Sequence, residues 1–530
     1  MEKSLQEILR RHCVFSQSSI IISVKQEGGE ALIKKLSELS LLIPDSKIIG
    51  EDILISGIEH DSRKVEAKNL FVCIEGAHVD GHNFIPQAVS RGAAAVLTTR
   101  KNFTPPKNIS ALIVPDMLNA LAVIVPYFYD YPARKMRVIG VTGTNGKTTT
   151  TYLLREIFTC AGFKVGLIGT IQNLIGEEKF PVRNTTPNVI DLQKFLVEMT
   201  DKKIQIVVME VSSHALAENR VAGVEFDTAI FTNLTQDHLD FHLTMENYLR
   251  AKAKLFDMVS RRGHKQNKNA IVNADDAASA EILRHCLCNK ITYGVENPAE
   301  LRGSELSIKS NGTEMQCVMR NAQCVMNFPL SLHMTGLFNV YNVLAAIGAA
   351  TAENISPEII KRALENFKSV PGRFERIFAD APFQVIVDYA HTPDGVKNVL
   401  QTAAQIVNGK IITVFGCGGD RDNKKRPIMG KIAAELSDIV IATSDNPRTE
   451  NPEKILDEIE IGIGEKKHER ITDRRAAIFR AIELAEAGDI VLILGKGHEN
   501  YQILNTGKIH FDDREIALAA VKNIGGNVNE

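Results

Sequence analysis

The chain contains 530 residues, of which 44% are hydrophobic and 24% are charged. A single hydrophobic core seldom grows beyond about 250–300 residues, so this length excludes a one-domain protein. The formal net charge is −2, and acidic and basic residues are well mixed along the chain. This charge pattern does not predict the basic surface that a nucleic-acid-binding protein needs. We therefore expect a multidomain globular protein that binds no nucleic acid and meets any anionic ligand through local contacts.

The sequence offers no membrane-spanning or signal segment. The first residues, MEKSLQEILRRHC, include acidic residues and lack the apolar core of a signal peptide. No later run approaches the roughly 18–20 apolar residues that a membrane span needs. We therefore expect a cytoplasmic protein without a membrane span, and we expect it to act as a monomer.

The cysteines are scattered, without a CxxC pair or a matching histidine spacing for zinc. They are Cys13, Cys73, Cys160, Cys286, Cys288, Cys317, Cys324 and Cys417. In a cytoplasmic protein such residues are usually reduced structural thiols. We expect neither a disulfide framework nor a zinc site.

Residues 1–134 are predicted to form a small α/β domain. ILISGIEHDSR, NLFVCIEG and AAAVLTTR are typical of short strands that end in polar turns. A helical stretch ends near DYPARK, where Pro132 interrupts the pattern and a new apolar strand begins. We place the first domain boundary between residues 134 and 135.

Residues 135–368 alternate apolar runs with amphipathic helices. KVGLIGT, IQIVVMEV, TAIFTNL and NAIVNADD are typical of buried strands, and FNVYNVLAAIGAATAEN is typical of a helix. This alternation predicts a doubly wound, mostly parallel sheet. Pro371 and Gly372 interrupt the pattern within KSVPGRFER, so we place the second boundary between residues 368 and 369.

Residues 369–530 repeat the alternation of strand and helix. FQVIVDYAH, KIITVFGCGGDRD, DIVIATSDNPR and DIVLILGKGHE each end in a loop rich in Gly, Asp, His or Arg. Binding sites of open α/β sheets form at the carboxyl ends of the strands, which is where these loops fall. The sequence therefore predicts two α/β domains that face each other across a cleft.

A glycine-rich loop follows the strand that contains Val138, Ile139 and Val141. It runs from Gly143 to Thr148 and precedes the helix TTTYLLREIF. Backbone amides and the helix N-terminus would bind phosphates, Lys147 would reach the terminal phosphates, and Thr148 would ligate Mg²⁺. The usual first glycine of such a loop would fall at Val141, so the spacing departs from the standard P-loop.

Polar residues follow two further strands of the predicted central sheet. Glu210 ends IQIVVME, and Asp237 and His238 follow TAIFTNL. A carboxylate and an imidazole beside a phosphate loop can hold Mg²⁺, although an isolated histidine after a strand is more often structural. On sequence alone, Lys252 in the helix YLRAKAKLF is predicted to be a solvated helical lysine.

The combination of motifs resembles the Mur ligase family, and within it the UDP-N-acetylmuramoyl-tripeptide synthetases. The resemblance extends over nearly the whole chain. It rests on TGTNGKTTT at 142–150, NTTP at 184–187, EVSSHAL at 210–216, TNLTQDHLDFH at 232–242, AKAKLF at 251–256, GLFNVYNVLAA at 336–346, VPGRFE at 370–375, DYAHTPD at 388–394, GCGGDRD at 416–422, DNPR at 445–448 and GKGHE at 495–499. It implies an N-terminal uridine-nucleotide-binding domain, a central P-loop ATPase and a C-terminal Rossmann-like domain.

The resemblance implies a ligase of peptidoglycan synthesis that uses ATP and Mg²⁺. Its substrates would be UDP-N-acetylmuramoyl-L-alanyl-D-glutamate and meso-diaminopimelate. The terminal carboxylate of the first substrate would attack the γ-phosphate of ATP to give an acyl phosphate. The amine of the second would then displace phosphate and form the new amide.

The resemblance also implies roles for particular residues. The catalytic residues would be Lys147, Glu210, His238, Lys252 and His391, with Thr148, Glu210 and His238 as metal ligands and Lys252 as the family's carbamylated lysine (N6-carboxylysine). The nucleotide would contact Gly143, Thr144, Asn145, Gly146, Lys147, Thr148, Thr149, Asn273, Asn339 and Asn342. The muramoyl-dipeptide would contact Ser62, His78, Asn184, Thr185, Thr186, Ser212 and Arg220.

The amino acid would be recognised by the C-terminal loops. By the resemblance its contacts are Arg421, Asp445, Asn446, Pro447, Arg448, Gly495 and Glu499. A guanidinium binds a carboxylate through two hydrogen bonds, and diaminopimelate carries a carboxylate at its far end that lysine lacks. Arg448 therefore favours diaminopimelate, with Glu499 near the far ammonium group.

Other functions stay open at this point. The same ligase would add L-lysine if DNPR were only a turn. A folylpolyglutamate-synthetase-like ligase would share the chemistry but ordinarily lacks a uridine-nucleotide domain, and other Mur ligases fit the DNPR and GKGHE motifs less well. A protein of another class, a switch that hydrolyses ATP without ligation, would show nucleotide turnover that is independent of an acceptor amine.

Overall fold

The structure is a computed structural model that describes residues 25–26, 29–30, 32–76, 79–320, 325–377 and 381–526. These residues form two compact units, Met1–Asp130 and Tyr131–Glu530. Each unit is an α/β structure, which confirms the predicted fold class. The boundary predicted after residue 134 lies four positions beyond the boundary between the units, at a 3-10 turn, Pro132–Lys135.

The first unit contains strands, short helices and one longer helix. Its strands are β1 (Lys25–Gln26), β2 (Gly29–Glu30), β3 (Lys34–Lys35), β4 (Lys47–Ile49), β5 (Leu54–Ile55), β6 (Gly57–Glu59), β7 (Asn69–Val72), β8 (Ala95–Thr98) and β9 (Ser110–Ile113). Its α-helices are α1 (Leu36–Ser40), α2 (Ile85–Ser90) and α3 (Met117–Phe128), and Ser62–Lys64 and Gly81–Phe84 form 3-10 turns. A five-stranded sheet has the order β4-β9-β8-β7-β6, in which only β4 pairs antiparallel.

The second unit begins with the largest sheet. The strands of this sheet are β10 (Arg137–Thr142), β11 (Val165–Ile168), β12 (Asn173–Ile175), β13 (Glu178–Phe180), β14 (Ile206–Glu210), β15 (Thr228–Phe231), β16 (Asn269–Asn273), β17 (Asn289–Gly294), β18 (Leu301–Lys309), β19 (Gly312–Arg320) and β20 (Val325–Leu332). The helices around it are α4 (Lys147–Cys160), α5 (Val189–Asp201), α6 (Ser213–Ala217), α7 (Leu239–His242), α8 (Met245–Ser260), α9 (Ser279–Arg284), α10 (Leu337–Ala352) and α11 (Pro357–Asn366).

The strand order of this sheet determines where its loops meet. The order is β13-β12-β11-β14-β10-β15-β16-β17-β18-β19-β20, and the pairs from β11 to β18 are parallel. The chain moves from β10 first to β11 and β14 on one side and later to β15 on the other. A loop after β10 therefore lies at a topological switch point, where ligands of open α/β sheets bind.

The second sheet of this unit is built from residues after 374. Its strands are β21 (Glu375–Ile377), β22 (Gln384–Asp388), β23 (Ile411–Phe415), β24 (Ile439–Ala442), β25 (Glu469–Arg470) and β26 (Ile490–Leu494), in the order β21-β22-β26-β23-β24-β25. The helices are α12 (Pro393–Ile406), α13 (Lys425–Leu436), α14 (Pro452–Ile463), α15 (Arg474–Glu483) and α16 (Asp513–Gly526). A hairpin of β27 (Tyr501–Leu504) and β28 (Gly507–His510) follows β26.

Both sheets of the second unit have apolar cores. Strands β22, β23, β24 and β26 pair in parallel, and their side chains are buried almost throughout, as continuous apolar runs predict. The four predicted loops therefore leave the same edge of the sheet, which confirms that prediction. No helix of the described residues is long and apolar enough to cross a membrane.

Candidate active site

The phosphate loop joins β10 to the N-terminus of α4. Gly146 has a φ of +86°, a left-handed conformation that favours glycine, and a side chain there would collide with the Asn342 amide. The first amides of a helix have no intrahelical acceptor, so the N-terminus of α4 can bind an anion. Lys147 Nζ donates to the carbonyl oxygens of Gly143 (2.8 Å) and Thr144 (2.7 Å).

A buried carboxylate and a guanidinium meet at Thr148, the second residue of α4. The Thr148 hydroxyl donates to Glu210 Oε2 at 3.0 Å, and Glu210 also accepts from the backbone and the hydroxyl of Thr170. Arg373, from the loop before β21, donates from Nη2 to Thr148 Oγ1 at 3.1 Å and lies 4.5 Å from the Tyr389 ring. Its Nε is buried and has no protein acceptor among the described residues. The Arg373 guanidinium therefore lies against the Thr148 hydroxyl at the N-terminus of α4.

Lys252 lies on the buried face of α8. Its side chain is 1% exposed, and its Nζ is 4.2 Å from the centre of the Tyr248 ring, one helical turn away. Burial, and then the neighbouring charge of Lys147, hold the pKa of Lys252 well below its ordinary value. The interpretation of Lys252 as a solvated helical lysine is therefore wrong, and its amine is suited to remain neutral.

Asp237 connects residues of the two sheets. His238 Nε2 lies 3.3 Å from Asp237 Oδ2, and Lys425 Nζ, from α13, lies 3.7 Å from Oδ1. Burial acts to raise the pKa of Asp237, but His238, Lys425 and His391 lower it to about 2. Burial lowers the pKa of His238 to about 3. The pair therefore carries a carboxylate and a neutral imidazole near pH 7.

Two cavities adjoin these groups. The first, of about 430 Å³, is called here the phosphate-loop cavity, and its lining includes Asn145, Gly146, Thr148, Thr149, Asn273, Asn342, Arg373 and Asp394. The second, of about 480 Å³, is called the arginine cavity, and its lining includes Asn184, Thr185, Ser212, Arg220, His238, Arg421, Asp445, Asn446, Arg448, Gly495 and Glu499. Tyr389 and His391 line both cavities and form a shared wall.

The orientation of His391 is fixed by the loop after β22. Its Nδ1 lies 2.8 Å from the Tyr389 carbonyl oxygen, so this nitrogen is the donor and Nε2 is left as an acceptor. Burial, and then the charge of Lys425, lower the pKa of His391 to about 4. A neutral imidazole thus lies in the wall between the two cavities.

The loops after β24 and β26 form one side of the arginine cavity. Asn446 Nδ2 donates to Glu499 Oε2 at 2.8 Å, and the fully buried Lys496 Nζ lies 3.2 Å from both Asn446 Oδ1 and Glu499 Oε2. Arg448 Nη1 donates to the Gly419 carbonyl at 2.7 Å. The Arg448 guanidinium is therefore fixed along one edge, and its remaining donors are available to a ligand.

Some predicted contacts lie away from the cavity surfaces. Thr186 is fully buried, where its hydroxyl donates to the Glu210 carbonyl and accepts from the Ser212 amide. Asn339 is buried beside Asn342 and donates to the Thr335 carbonyl at 2.9 Å. In these positions both side chains support neighbouring loops, and their predicted ligand contacts stay predictions.

Two residues of the first unit, Ser62 and His78, were predicted to contact the muramoyl-dipeptide. The Ser62 hydroxyl donates to Gln87 Oε1 at 2.7 Å, and His78 lies outside the described residues. Glu75, Asp80 and His82 lie close enough together to hold a metal ion. Arg100 forms ion pairs with Glu75 and Asp80, so its guanidinium already supplies the positive charge that a metal ion would bring.

The family follows from comparison with known proteins. Three models match the chain: the Mur ligase family catalytic domain over residues 54–136, the Mur ligase middle domain over residues 141–350, and the Mur ligase glutamate ligase domain over residues 372–497. The UDP-N-acetylmuramoyl-L-alanyl-D-glutamate–2,6-diaminopimelate ligase of Clostridium botulinum is 44% identical over 497 residues, covering 93% of this chain and 99% of that protein. The chain belongs to the Mur ligase family.

Solved structures agree with membership of the Mur ligases. A UDP-N-acetylmuramoyl-L-alanyl-D-glutamate–2,6-diaminopimelate ligase matches with a TM-score of 0.64 and 31% identity, covering 93% of this chain and 99% of the other. The MurF ligase of Thermotoga maritima in complex with ADP matches with a TM-score of 0.61 and 18% identity, covering 88% and 96%, which shows the fold alone. As a Mur ligase the chain is an ATP-dependent ligase, and the predicted family and enzyme class are confirmed.

Several residues of this Mur ligase site received no role from the sequence. Arg373 occurs within the motif VPGRFE, and Asp237 directly precedes the assigned His238 in TQDH, so the signal was a charged residue within a family motif. Lys425 and Lys496 are buried, although their sequences are typical of solvated lysines. Their positions depend on partners that are distant in sequence, so local patterns could not find them.

Proposed function

We propose that the chain joins meso-diaminopimelate to UDP-N-acetylmuramoyl-L-alanyl-D-glutamate, with conversion of ATP to ADP and phosphate. The proposal is supported by the relative of that activity that is 44% identical over nearly the full length of both proteins. It is also supported by the site, in which a phosphate loop and a cavity with several basic side chains share one wall. A ligase that activates a carboxylate with ATP needs these two regions side by side.

The observation that carries the choice of amine is the pair of guanidiniums in the arginine cavity. Arg421 and Arg448 both line it, together with Asn446 and Glu499. A free carboxylate at the far end of the amine would pair with Arg448, whereas lysine would leave this guanidinium without a partner. A site built around such polar contacts can reject the analogue by about 10⁴–10⁵.

The nucleotide would bind at the phosphate loop, between Asn145 and Thr149. Lys147 and Arg373 supply two positive charges beside the N-terminus of α4, and Asn273 and Asn342 line the same cavity. These groups reduce the repulsion between the phosphates and the attacking carboxylate, and they stabilise the charge that develops on the transferred phosphoryl group. We assign nucleotide binding to this loop.

We assign Mg²⁺ to Thr148, Glu210 and His238. The Thr148 hydroxyl and the Glu210 carboxylate, 3.0 Å apart, are oxygen ligands of the kind Mg²⁺ prefers, and Glu210 is 1% exposed beside the phosphate loop, so these two residues fit the ion. The assignment of His238 rests on the family resemblance alone. When bound, the ion would supply charge that screens the phosphates from the substrate carboxylate. Thr148 and Glu210 are already aligned by their own hydrogen bond.

We assign carbamylation to Lys252. A neutral lysine amine attacks the carbon of CO₂, forms an N–C bond and releases one proton, which leaves an anionic carbamate. The lowered pKa of Lys252 favours the neutral amine that this step needs. The product would place an anionic oxygen ligand next to Lys147 and Asp237.

The acceptor step needs an amine that has already lost its proton. His391 Nε2 is an acceptor in the wall shared by the two cavities, where it can accept a hydrogen bond from the neutral amino group of the incoming amino acid. Ser212 and Arg220 line the arginine cavity and would hold the peptide substrate. We therefore assign His391 to orienting the amine against the activated carbonyl.

The uridine nucleotide would bind to the N-terminal domain, which we propose to span residues 1–134. The ATPase would span 135–368 and the amino-acid-binding domain 369–530. Strand β20 ends at Leu332 and β21 begins at Glu375, which supports the second of these boundaries. A cytoplasmic location and a monomeric state stay predictions.

The test is a ligation assay with the full chain. The protein is incubated with ATP, Mg²⁺ and UDP-N-acetylmuramoyl-L-alanyl-D-glutamate, together with meso-diaminopimelate, L-lysine or no amine. Phosphate release and product mass are followed. We expect product only with diaminopimelate. A comparable yield of product with lysine would agree with the ligase activity but contradict the choice of amine. No product with either amine would contradict the proposed reaction.

A further inference from the structure

Two loops of the arginine cavity are joined by an ion pair between a buried arginine and a half-buried glutamate, neither of which lines the cavity. The first loop, 416–423, carries Arg421, and the second, 445–450, carries Arg448. Arg426, in the first turn of α13, is 1% exposed and donates from Nη1 and Nη2 to the two carboxylate oxygens of Glu450 at 2.9 and 3.0 Å. This bidentate pair fixes α13 to the end of the second loop.

The Arg426–Glu450 pair also forms hydrogen bonds with two backbone groups of the first loop. Arg426 Nη2 also donates to the Gly418 carbonyl at 3.1 Å. The backbone amide of Asp420 donates to Glu450 Oε1, and the Asp420 carboxylate accepts from the amide (3.2 Å) and the hydroxyl (2.8 Å) of Thr449. The first loop is therefore bound to the second by groups of both the main chain and the side chains.

Both loops need this support because each holds a non-glycine residue in a left-handed conformation. Asp420 has a φ of +53°, and Arg448 has a φ of +54°. Such conformations are disfavoured for residues with a side chain and persist where hydrogen bonds hold them. The Asp420 amide is held by Glu450, and the Arg448 amide donates to the Ile503 carbonyl of β27 at 3.0 Å.

The two loops also approach each other too closely for a side chain on the first. A Cβ on Gly419 would collide with the Pro447 carbonyl, and the Arg448 guanidinium donates to the Gly419 carbonyl at 2.7 Å. A small separation of the loops would therefore lengthen the bond that orients Arg448. It would also move Arg421, whose Nη1 donates to the Asp420 carbonyl at 3.0 Å.

We propose that Arg426 and Glu450 are positioning residues that set the spacing between the guanidiniums of Arg421 and Arg448, and thereby the fit of the far carboxylate of the amine. This inference rests on the function proposed above. Neither Arg426 nor Glu450 lines the arginine cavity. They act through the loops, so their loss changes recognition of the amine and leaves binding of the nucleotide unaffected.

The chain offers a matched control. Glu458, on α14, also accepts from Arg426 Nη1 at 2.9 Å, and its side chain is 37% exposed against 33% for Glu450. Among the hydrogen bonds of the described residues, Glu458 bonds only to Arg426, whereas Glu450 also accepts from the Asp420 amide. Glu450→Gln and Glu458→Gln both remove a carboxylate partner of Arg426, which Glu450 binds through two oxygens and Glu458 through one. Only Glu450→Gln also disturbs the first loop.

The experiment measures kcat and KM for meso-diaminopimelate, L-lysine and ATP in the full-length wild type and both variants, with the thermal midpoint of each. We expect Glu450→Gln to raise the KM for diaminopimelate on the order of tenfold or more and to lower the preference over lysine, with the KM for ATP within about twofold. We expect Glu458→Gln to stay within about twofold of the wild type throughout.

Equal effects of the two variants on the KM for diaminopimelate would overturn the positioning role. If Glu450→Gln does not fold, Glu450→Asp retains the charge and shortens the reach to Asp420, and its KM for diaminopimelate is expected to rise; an unchanged KM would also overturn the role. A wild type that forms no product with any amine would contradict the proposed function. An active wild type with indistinguishable variants would contradict the positioning role alone.

Discussion

Asn145 in the phosphate loop donates from Nδ2 to Asp394 Oδ2 at 2.8 Å, although Asp394 lies on α12, against the other sheet. Burial raises the pKa of Asp394, and the bond from Asn145 opposes this rise. The phosphate loop is therefore held in part by the residues that follow β22. Substitutions on α12 should therefore alter the binding of the nucleotide.

Asp394→Ala is expected to raise the KM for ATP about tenfold, because a hydrogen bond to a charged group contributes roughly 1.5–3 kcal/mol. The KM for diaminopimelate should change little, since Asp394 does not line the arginine cavity. Steady-state kinetics with each substrate varied in turn would measure both values. An equal rise in the two KM values would instead indicate a general loss of structure.

Lys252→Ala is expected to lower kcat by about 100-fold or more, comparable with the loss of a group that stabilises the transition state. Lys254→Ala is the matched control, because Lys254 lies on the same helix with its side chain exposed. Incubation of the wild type with ¹³C-bicarbonate should give a carbamate carbon signal by NMR. A signal that persists in Lys252→Ala would refute the assignment of the modified residue.

Arg448→Lys is expected to raise the KM for diaminopimelate by about 10–100-fold, because an ammonium group cannot reproduce two parallel hydrogen bonds to a carboxylate. The KM for L-lysine should rise much less, so the preference between the two amines should fall. Competition between the two amines, read out by product mass, would measure this ratio. An unchanged ratio would show that Arg448 does not contact the far carboxylate.

The Arg474–Asp513 pair is expected to contribute to stability, because both side chains are fully buried and 2.7 Å apart. Arg474→Met leaves a buried carboxylate without its partner, which costs about 3–5 kcal/mol in comparable cases. Urea denaturation followed by circular dichroism would measure the loss. Glu469→Gln breaks the exposed pair with Arg480 on the same helix, α15, and should have a much smaller effect.

The thermal midpoint is expected to fall as the pH is lowered from about 6.5 towards 4, in part through His391. Its pKa in the folded protein is about 4, below the unfolded value of 6.5, so the unfolded chain binds more protons in this interval. Stability from this group is complete above the unfolded pKa and is lost as the pH falls. Calorimetry of His391→Asn should show a smaller decrease between pH 7 and pH 5 than the wild type shows.

Motifs that are local in sequence were predicted well. The strand, glycine-rich loop and helix around Lys147 form a contiguous segment, so their pattern reports directly on their structure. The four loops that leave the second sheet were also predicted, since parallel strands must present their carboxyl ends on one edge. These segments contribute lining residues to both cavities.

Features that depend on distant partners were not predicted. Arg426, Arg474 and Lys496 have sequences typical of solvated side chains, yet each is buried. Arg426 and Arg474 pair with Glu450 and Asp513, and Lys496 contacts the Asn446 amide oxygen, all distant in sequence. The antiparallel strands β18, β19 and β20 were not predicted. Ser310 and Asn311 form the turn between the paired residues Lys309 and Gly312, and Asn-Gly between alternating segments is a hairpin signal in the sequence.

The wall shared by the phosphate-loop and arginine cavities has a consequence for inhibition. Since Tyr389 and His391 line both cavities, a nucleotide and a dicarboxylic amino acid would lie on either side of one pair of aromatic rings, whose centroids are 4.6 Å apart. A short linker across these rings would make the second binding event intramolecular, which can raise affinity by about 10²–10⁴ without any new contact. A bisubstrate compound of this kind would have to satisfy both cavities at once, so single substitutions that abolish its binding would also impair the enzyme.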